Sequence, residues 1–457
     1  MKMFRTGFVL GTMALALAGC GVFGGGGDKR PKTPTIGERI PILTSESGAD
    51  VDPALADVAI LLPPAQLNAD WAQPGGNGPK MMDHVALGTA LGEAWSVKID
   101  GTNKYARLAA APVVAEGKIF VVDIYAKLHA FDAKSGAKLW VSQIGDSKDV
   151  AGHISIISGE MVGNRGSLFG GGVSHDDGRL FATSGLGDVA AFNPADGKQI
   201  WKVRPGGPLR GAPSVSNGQV YVMSQDNQIF ALKAADGELV WTEAASLEVS
   251  GVFGVGAPAV AQGSVVAGFS SGELNAYRYE NGRSLWADAL SRTSISTSVA
   301  SLSDVDASPV IDRGRVFAIG QGGRMVSMEL VTGQRLWEIN VAGIATPWVV
   351  GEWIFVIDDQ ARLLCLARAN GKVRWISQLP RYRKDKKKNG PIIWTGPILA
   401  GDRLIVASSE GQLANINPAN GALQSQAKAG APVYLSPIVA DNTLYILTND
   451  GHLTAWR

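Results

Sequence analysis

The segment Ala130-Phe-Asp-Ala-Lys-Ser-Gly-Ala-Lys-Leu-Trp140 decides the fold, because its pattern recurs along the chain. Each copy has a small residue, a turn, a glycine and, four residues after the glycine, a tryptophan. The copies end at Trp140, Trp201, Trp241, Trp286, Trp337 and Trp375. Between them lie short segments rich in Val, Ile, Phe or Leu and bounded by Gly, Asp or Asn, which are typical of β-strands. A unit that recurs in this way predicts a repeat architecture.

The strand pattern gives eight units of four strands. The eighth unit ends after three strands at Trp456, whereas an unpaired fourth-strand segment, with Trp95 at its centre, precedes the first unit. If this N-terminal strand completes the last unit, the ring closes and no blade is left incomplete. The sequence therefore predicts an all-β fold, an eight-bladed β-propeller of four-stranded antiparallel blades, closed by an N-terminal strand.

The glycine and the tryptophan of the repeat have separate physical roles. Glycine suits a turn position with positive φ, and tryptophan offers about 150–250 Å² of flat surface for contact with the next blade. The seventh unit departs from the pattern, because Ser425 stands where the tryptophan is expected. We assign the blade-docking role to Trp95, Trp140, Trp201, Trp241, Trp286, Trp337 and Trp375.

The N-terminus is typical of a bacterial lipoprotein precursor. Lys2 and Arg5 precede an apolar run over residues 8–18 that is too short to span a bilayer. The run ends in Leu17-Ala-Gly-Cys20, which is similar to a lipobox; an ordinary signal peptide with a coincidental cysteine is the alternative. We therefore expect a signal peptide over 1–19, a lipid anchor on Cys20, a flexible tether over 20–69 that is rich in Gly and Pro, and the propeller over 70–457.

Composition and motifs argue against several function classes. The net charge is +1, whereas nucleic-acid binding needs a basic surface. Cys365 is the only cysteine besides Cys20, so we expect a small buried side chain there and no internal disulfide. The histidines have no metal-ligand spacing, and no Gly-x-Ser-x-Gly motif is present. We expect no enzyme activity, no metal and no cofactor.

The long connections all join the fourth strand of one blade to the first strand of the next. They cover residues 141–170, 242–256, 287–307 and 376–395. Strand alternation brings such connections to one face of a propeller, and binding commonly resides on loops that a rigid scaffold presents. The basic run 381–388 is a solvated loop on the simplest interpretation; contact with anionic lipid headgroups or with an acidic partner is the alternative.

The repeat resembles the tryptophan-docking motif of pyrroloquinoline-quinone-type propellers. Quinoprotein dehydrogenases share this motif with the BamB family, the lipoprotein subunits of the outer-membrane β-barrel assembly machinery. The lipobox, Leu302-Ser-Asp-Val-Asp306 and Trp394-Thr-Gly-Pro397 are similar to the BamB family in particular. The quinone enzymes also carry a disulfide between neighbouring cysteines, which Cys365 alone cannot form.

The resemblance implies a lipid-anchored, non-enzymatic scaffold on the periplasmic face of the outer membrane. It would dock to the periplasmic domains of the central assembly protein and aid folding and insertion of β-barrel proteins, with unfolded barrel clients as further partners. The implied partner-binding residues are Asp304, Asp306, Val252 and Phe253, although the loop over 249–255 lacks the arginine of the family. A simple turn role for the two aspartates stays open, and so does metal ligation. The alternative functions are a quinone-dependent dehydrogenase-like propeller and a cell-wall or polysaccharide-binding lipoprotein.

Overall fold

Eight four-stranded antiparallel sheets form the blades of a β-propeller in this computed structural model. The structure describes residues 49–145, 153–154, 161–162, 169–247, 256–290 and 303–457. In blades 1 to 7 the four strands follow one another along the chain, each paired antiparallel with the next. The predicted architecture is therefore confirmed.

The strands of the propeller begin with β1 (Glu93–Lys98), which precedes blade 1 in the chain. Blade 1 has β2 (Val113–Ala115), β3 (Lys118–Val122), β4 (Lys127–Asp132) and β5 (Lys138–Gln143). A separate hairpin has β6 (His153–Ile154) and β7 (Met161–Val162). Blade 2 has β8 (Gly171–Asp176), β9 (Arg179–Ser184), β10 (Val189–Phe192) and β11 (Gln199–Val203). Blade 3 has β12 (Ser214–Ser216), β13 (Gln219–Met223), β14 (Gln228–Lys233) and β15 (Leu239–Ala244).

Blade 4 has β16 (Ala259–Ala261), β17 (Ser264–Gly268), β18 (Glu273–Arg278) and β19 (Ser284–Ala289). Blade 5 has β20 (Val310–Asp312), β21 (Arg315–Ile319), β22 (Met325–Glu329) and β23 (Arg335–Ile339). Blade 6 has β24 (Trp348–Val350), β25 (Trp353–Ile357), β26 (Arg362–Ala367) and β27 (Val373–Gln378). A second hairpin has β28 (Tyr382–Lys384) and β29 (Asn389–Pro391). Blade 7 has β30 (Trp394–Ala400), β31 (Arg403–Ser408), β32 (Gln412–Ile416) and β33 (Leu423–Lys428). Blade 8 has β34 (Ile438–Ala440), β35 (Thr443–Leu447) and β36 (His452–Trp456), and short 3₁₀ turns lie at Pro53–Leu55 and Asp385–Lys387.

The ring closes between the two ends of the propeller sequence. Strand β1 pairs antiparallel with β36, so that Trp95 lies opposite Ala455. Beyond the strands, the amide of Gly92 donates to the carbonyl oxygen of Arg457 at 2.7 Å, and the reverse bond is 3.0 Å. The N-terminal strand thus supplies the fourth strand of blade 8, as the leftover strand segment predicts.

Each tryptophan of the repeat docks on the next blade through a ring contact and a hydrogen bond. The indole Nε1 donates to a backbone carbonyl at 2.8 to 3.1 Å, and the ring covers the glycine of the neighbouring turn. A Cβ on these glycines would come within 2.5 to 2.8 Å of a ring atom. The donor–acceptor pairs are Trp95 with Ala133, Trp140 with Pro194, Trp201 with Ala234, Trp241 with Tyr279, Trp286 with Leu330, Trp337 with Arg368 and Trp375 with Pro418.

The exception at Ser425 follows from the way the ring closes. A tryptophan there would need the turn between the third and fourth strands of blade 8. That turn does not exist, because the fourth strand comes from the N-terminal side of the propeller. Ser425 instead accepts a hydrogen bond from Asn415 Nδ2 at 2.8 Å, and all six residues of β33 are exposed.

An inner belt, residues 68–85, hydrogen-bonds to every blade and was not predicted from the sequence. Most of its contacts reach the first strands, the innermost strands of the blades, and they follow ring order. Trp71 exchanges two backbone bonds with Val114 at 2.8 and 2.9 Å, and its ring stacks on Trp348 with centroids 6.2 Å apart. The belt contacts blade 8 through Asn68, then blades 1 to 7 through Trp71, Ala72, Gln73, Gly78, Pro79, Asp83 and Val85.

The chain already lies against the propeller at the start of the described residues. Ala49 is buried, the amide of Asp52 donates to the Val373 carbonyl at 2.8 Å, and Arg374 Nε donates to the Val58 carbonyl at 3.0 Å. Part of residues 49–69, which the sequence analysis places in the tether, therefore contacts the outer strand of blade 6. The rest of the predicted tether, and the signal peptide over 1–19, lie outside the described residues.

Candidate docking face

One face of the propeller carries the connections between a fourth strand and the next first strand, and we call it the loop face. Among the described residues its connections are 99–112, 204–213, 303–309, 340–347, 379–393 and 429–437. The turns between second and third strands lie on the same face, because strand direction alternates. Parts of the predicted long connections over 141–170, 242–256 and 287–307 lie outside the described residues.

Asp306 forms a buried ion pair inside this face. Its Oδ1 accepts a hydrogen bond from Arg210 Nη2 at 3.0 Å, and both side chains are 5% exposed. Burial raises the pKa of the Asp306 carboxyl to about 7, with Arg210 opposing the rise and Asp304 adding to it. The pair joins the connection between blades 2 and 3 to the connection between blades 4 and 5.

Asp304 is fully buried as well. Its carbonyl oxygen accepts from the amide of Gln321 at 2.8 Å, and the amide of Val305 donates to the Phe269 carbonyl at 3.1 Å. These bonds fix the segment to blades 4 and 5. The structure therefore places both carboxylates within the loop face, where they can position its connections, and Asp306 also lines the cavities of this face.

Val252 and Phe253 lie outside the described residues, and so does Cys20. Their predicted roles in partner binding and lipid anchoring stay predictions.

The exposed surface of the loop face is apolar around its centre. Ile344, Ile393, Tyr434 and Tyr105 are 39% to 46% exposed and come from four different connections. Ile344, Ile393 and Tyr434 line a cavity of about 410 Å³ whose lining also includes Arg107. Sequence reasoning missed this patch, because each residue stands alone in its own loop and only the ring brings them together.

Lys80 of the inner belt lies beneath the loop face, at a neighbouring cavity of about 190 Å³. Its Nζ donates to Ser214 Oγ at 2.9 Å, and Ser214 Oγ donates to the Pro258 carbonyl at 2.6 Å. Burial lowers the pKa of the Lys80 amine to about 7. An amine in this setting carries a desolvation cost when protonated.

The basic run 381–388 forms an ordered hairpin, the basic hairpin, rather than an irregular loop. Its base is fixed because the amide of Ile392 donates to the Arg381 carbonyl at 2.9 Å and Trp394 Nε1 donates to the Pro380 carbonyl at 2.9 Å. Arg383 Nε lies 2.8 Å from Glu410 Oε1. The hairpin therefore holds a cluster of cations at a defined place on the loop face.

The described residues contain no group of three or more His, Cys, Asp or Glu side chains arranged to hold a metal ion. Cys365 is fully buried in β26, and burial raises the pKa of its thiol, so it is a packing residue as expected. Across the described ranges, no helix has the length and apolar character needed to cross a membrane.

Relatives of known function match the chain over most of its length. Outer membrane protein assembly factor BamB of Moranella endobia is 27% identical over 365 residues, which cover 79% of this chain and 89% of that protein. BamB of Salmonella typhimurium is 29% identical over 345 residues, covering 75% of this chain and 83% of that protein. BamB of Escherichia coli is 29% identical, with coverage of 60% and 81%.

Solved structures share the fold at lower identity. BamB from Moraxella catarrhalis superimposes with a TM-score of 0.66 at 18% identity and covers 80% of this chain and all of that chain. A europium-containing methanol dehydrogenase gives a TM-score of 0.65 at 14% identity, with coverage of 85% and 98%. The propeller therefore occurs in both protein classes, and the likeness to these structures concerns the fold alone.

A family model described as outer membrane protein assembly factor BamB matches residues 85–162, 150–377 and 383–456. These ranges include nearly the whole propeller. The chain belongs to the BamB family of outer membrane protein assembly factors.

Proposed function

We propose that this protein is an outer-membrane lipoprotein scaffold of the β-barrel assembly machinery. It aids folding and insertion of β-barrel proteins and has no catalytic role of its own. The observation that carries the proposal is the family match over residues 85–456, together with relatives whose names describe outer membrane protein assembly. The lipid on Cys20 holds the protein at the periplasmic face of the outer membrane.

Docking to the periplasmic domains of the central assembly protein takes place through the loop face. Two features support this site. The ring is rigid, because tryptophans dock seven of the blade contacts and the inner belt ties all eight blades together. The connections of the loop face also present apolar side chains to solvent, which is typical of protein-binding surfaces.

Asp304 and Asp306 contribute to docking by holding a connection of the loop face in place. The backbone bonds around Asp304 hold the segment 303–309 against blades 4 and 5, and the Asp306–Arg210 pair joins it to the connection between blades 2 and 3. The neighbouring connection over 242–256, with Val252 and Phe253, supplies the contact with the partner. Asp304 and Asp306 are positioning residues for that contact.

Co-purification tests the proposal. Tagged full-length protein is isolated from detergent-solubilised outer membranes, and a large β-barrel protein with periplasmic domains is expected to accompany it. The double substitution Val252→Asp with Phe253→Asp should reduce its recovery at least about tenfold, as burying an unpaired charge at an interface does. Leu423→Asp is the matched control, since Leu423 is an exposed apolar residue on β33, away from the loop face.

Two results would contradict the proposal. One is wild-type protein that brings down no such β-barrel protein. The other is equal recovery with the loop-face variant and with the Leu423 control, while both variants keep the wild-type melting temperature.

A further inference from the structure

A groove on the loop face lies beside the basic hairpin. It has a volume of about 320 Å³ and is bounded by the hairpin on one side and the connection 340–347 on the other. Ile344 and Ile393 line it and are 45% and 44% exposed, and Ile392 and Pro391 add further apolar surface. The groove is a recess that can take one or two apolar side chains.

The hairpin side of the groove is strongly basic, whereas Asp358, which is paired with Arg362, and Asp359 also line the groove, from the turn between β25 and β26. The hairpin carries six cations, Arg381, Arg383, Lys384, Lys386, Lys387 and Lys388, against one carboxylate, Asp385. All of these side chains are exposed. Within the described part of the chain, Arg383 with Glu410 is the one ion pair that involves these cations. The remaining cations are available to an acidic ligand.

The hairpin is built to stay beside the groove. Backbone bonds join Ile392 to Arg381 at 2.9 Å and Ser409 to Ile393 at 2.8 Å, and Ile393 donates to Ser409 Oγ at 3.0 Å. Hairpin and apolar floor are thus one unit anchored on blade 7. Ile344 and Ile393 also border the larger central cavity, so the groove continues toward the centre of the loop face.

We propose that this groove binds an extended polypeptide segment in which apolar side chains are flanked by acidic residues. The apolar side chains enter the recess between Ile344 and Ile393, and the carboxylates face the lysines of the hairpin. A polypeptide fits better than a lipid surface, because the apolar groups are recessed in a concave site. A bilayer is flat and would meet an apolar face that protrudes.

The groove and the docking contact can fail separately. Peptide binding here needs the basic hairpin, whereas docking to the central assembly protein needs the connection 242–256. A negative result at one site therefore does not refute the proposal for the other site.

The experiment measures binding of fluorescent peptides to full-length protein in detergent by fluorescence anisotropy. One peptide has central phenylalanines flanked by glutamates; a second has lysine in place of each glutamate; a third has serine in place of each phenylalanine. The first should bind at least about tenfold more tightly than the others. Raising the salt from about 0.1 M to about 1 M shortens the Debye length from about 10 Å to about 3 Å and should weaken its binding about tenfold.

Two variants locate the site. The triple change Lys386→Glu, Lys387→Glu and Lys388→Glu should weaken binding of the first peptide at least about tenfold. Ile393→Ser should weaken it without altering binding of the serine peptide. The matched control is the triple change Lys138→Glu, Lys202→Glu and Lys428→Glu, which reverses three exposed lysines on the outer strands β5, β11 and β33 and should have less than a twofold effect.

The proposal is overturned if the first peptide does not bind to the wild-type protein, or if the control triple weakens its binding as much as the hairpin triple does. It is also overturned if vesicles with anionic lipid bind through the hairpin while no peptide does. The proposal is supported if the wild-type protein prefers the acidic, phenylalanine-containing peptide and the hairpin triple variant loses this preference.

Discussion

Substitution of one docking glycine, Gly371→Ala, tests how the blades are held together. Gly371 has a φ of +71°, and a Cβ there would lie 2.6 Å from Cε3 of Trp337. The control is Gly314→Ala, at a turn with a φ of +73° and no atom within 4 Å of the added Cβ. Both alanines must adopt left-handed backbone, at a cost of about 1–2 kcal/mol. Only the alanine at position 371 must also displace a tryptophan, Trp337.

The additional cost follows from what Trp337 loses. Its Nε1 donates to the Arg368 carbonyl at 2.9 Å, and its ring lies 6.2 Å from that of Phe317. The hydrogen bond contributes about 1 kcal/mol, and the aromatic pair about 0.5–1.5 kcal/mol. Gly371→Ala should therefore lower the free energy of unfolding by about 2 kcal/mol more than Gly314→Ala does.

Equilibrium urea unfolding of the two variants measures this difference, provided that their transitions have equal slopes. A double-mutant cycle with Trp337→Ala sharpens it, because without the ring nothing is left to displace. In that background the cost of Gly371→Ala should fall to the cost of Gly314→Ala. Equal costs of the two glycine substitutions in the wild-type background, or an unchanged cost of Gly371→Ala beside Trp337→Ala, would refute the reasoning.

Three further predictions concern other parts of the ring. Ser425→Trp should change the unfolding free energy by less than about 0.5 kcal/mol, because blade 8 offers no turn for the ring to cover; urea midpoints show this. Arg210→Ala should lower it by about 3–5 kcal/mol by leaving the Asp306 carboxylate without its cation, whereas Arg210→Met with Asp306→Leu should recover most of the loss in the same assay. Lys80→Met should remove a pH dependence of the unfolding free energy. Because the folded state lowers the pKa of Lys80 to about 7, the neutral amine contributes stability above pH 10.5, and this contribution is lost as the pH falls toward 7. Urea unfolding at pH 7 and at pH 10.5 should show that, relative to wild type, the variant is up to about 4 kcal/mol more stable at pH 7 than at pH 10.5. An equal difference in unfolding free energy at the two pH values would refute the lowered pKa of Lys80.

The fold was predictable because its determinants are local in sequence. Every docking tryptophan and glycine belongs to a short turn-and-strand unit, and the unit repeats. The incomplete eighth unit and the spare strand around Trp95 together indicated how the ring closes. Even the exception at Ser425 has a cause that follows from this closure.

The inner belt was not predictable, because its partners are distant in sequence and its bonds are largely made by the backbone. Gln73 bonds to Val215, 142 residues away, and Asn68 to Val439, 371 residues away. The segment has no strand or helix periodicity that would indicate such contacts. Its Gly and Pro residues let the chain follow the inside of the ring without regular secondary structure.

The candidate site was predictable only in outline. The sequence indicated which face carries the long connections, and it singled out the connection that contains Asp304 and Asp306. It did not show that both carboxylates are buried, because aspartate is usually exposed and Arg210 lies 96 residues away. The apolar patch of Ile344 and its neighbours likewise exists only once the ring has formed.

Hydrogen–deuterium exchange of the full-length protein, with and without the purified periplasmic domains of the central assembly protein, measures docking through the loop face most directly. Amides in the connection 242–256 should exchange at least about tenfold more slowly in the complex, while those of the outer strands β5 and β33 keep their rates. Slower exchange confined to the outer strands, or no change at any amide when both proteins are present at high concentration, would contradict docking by the loop face.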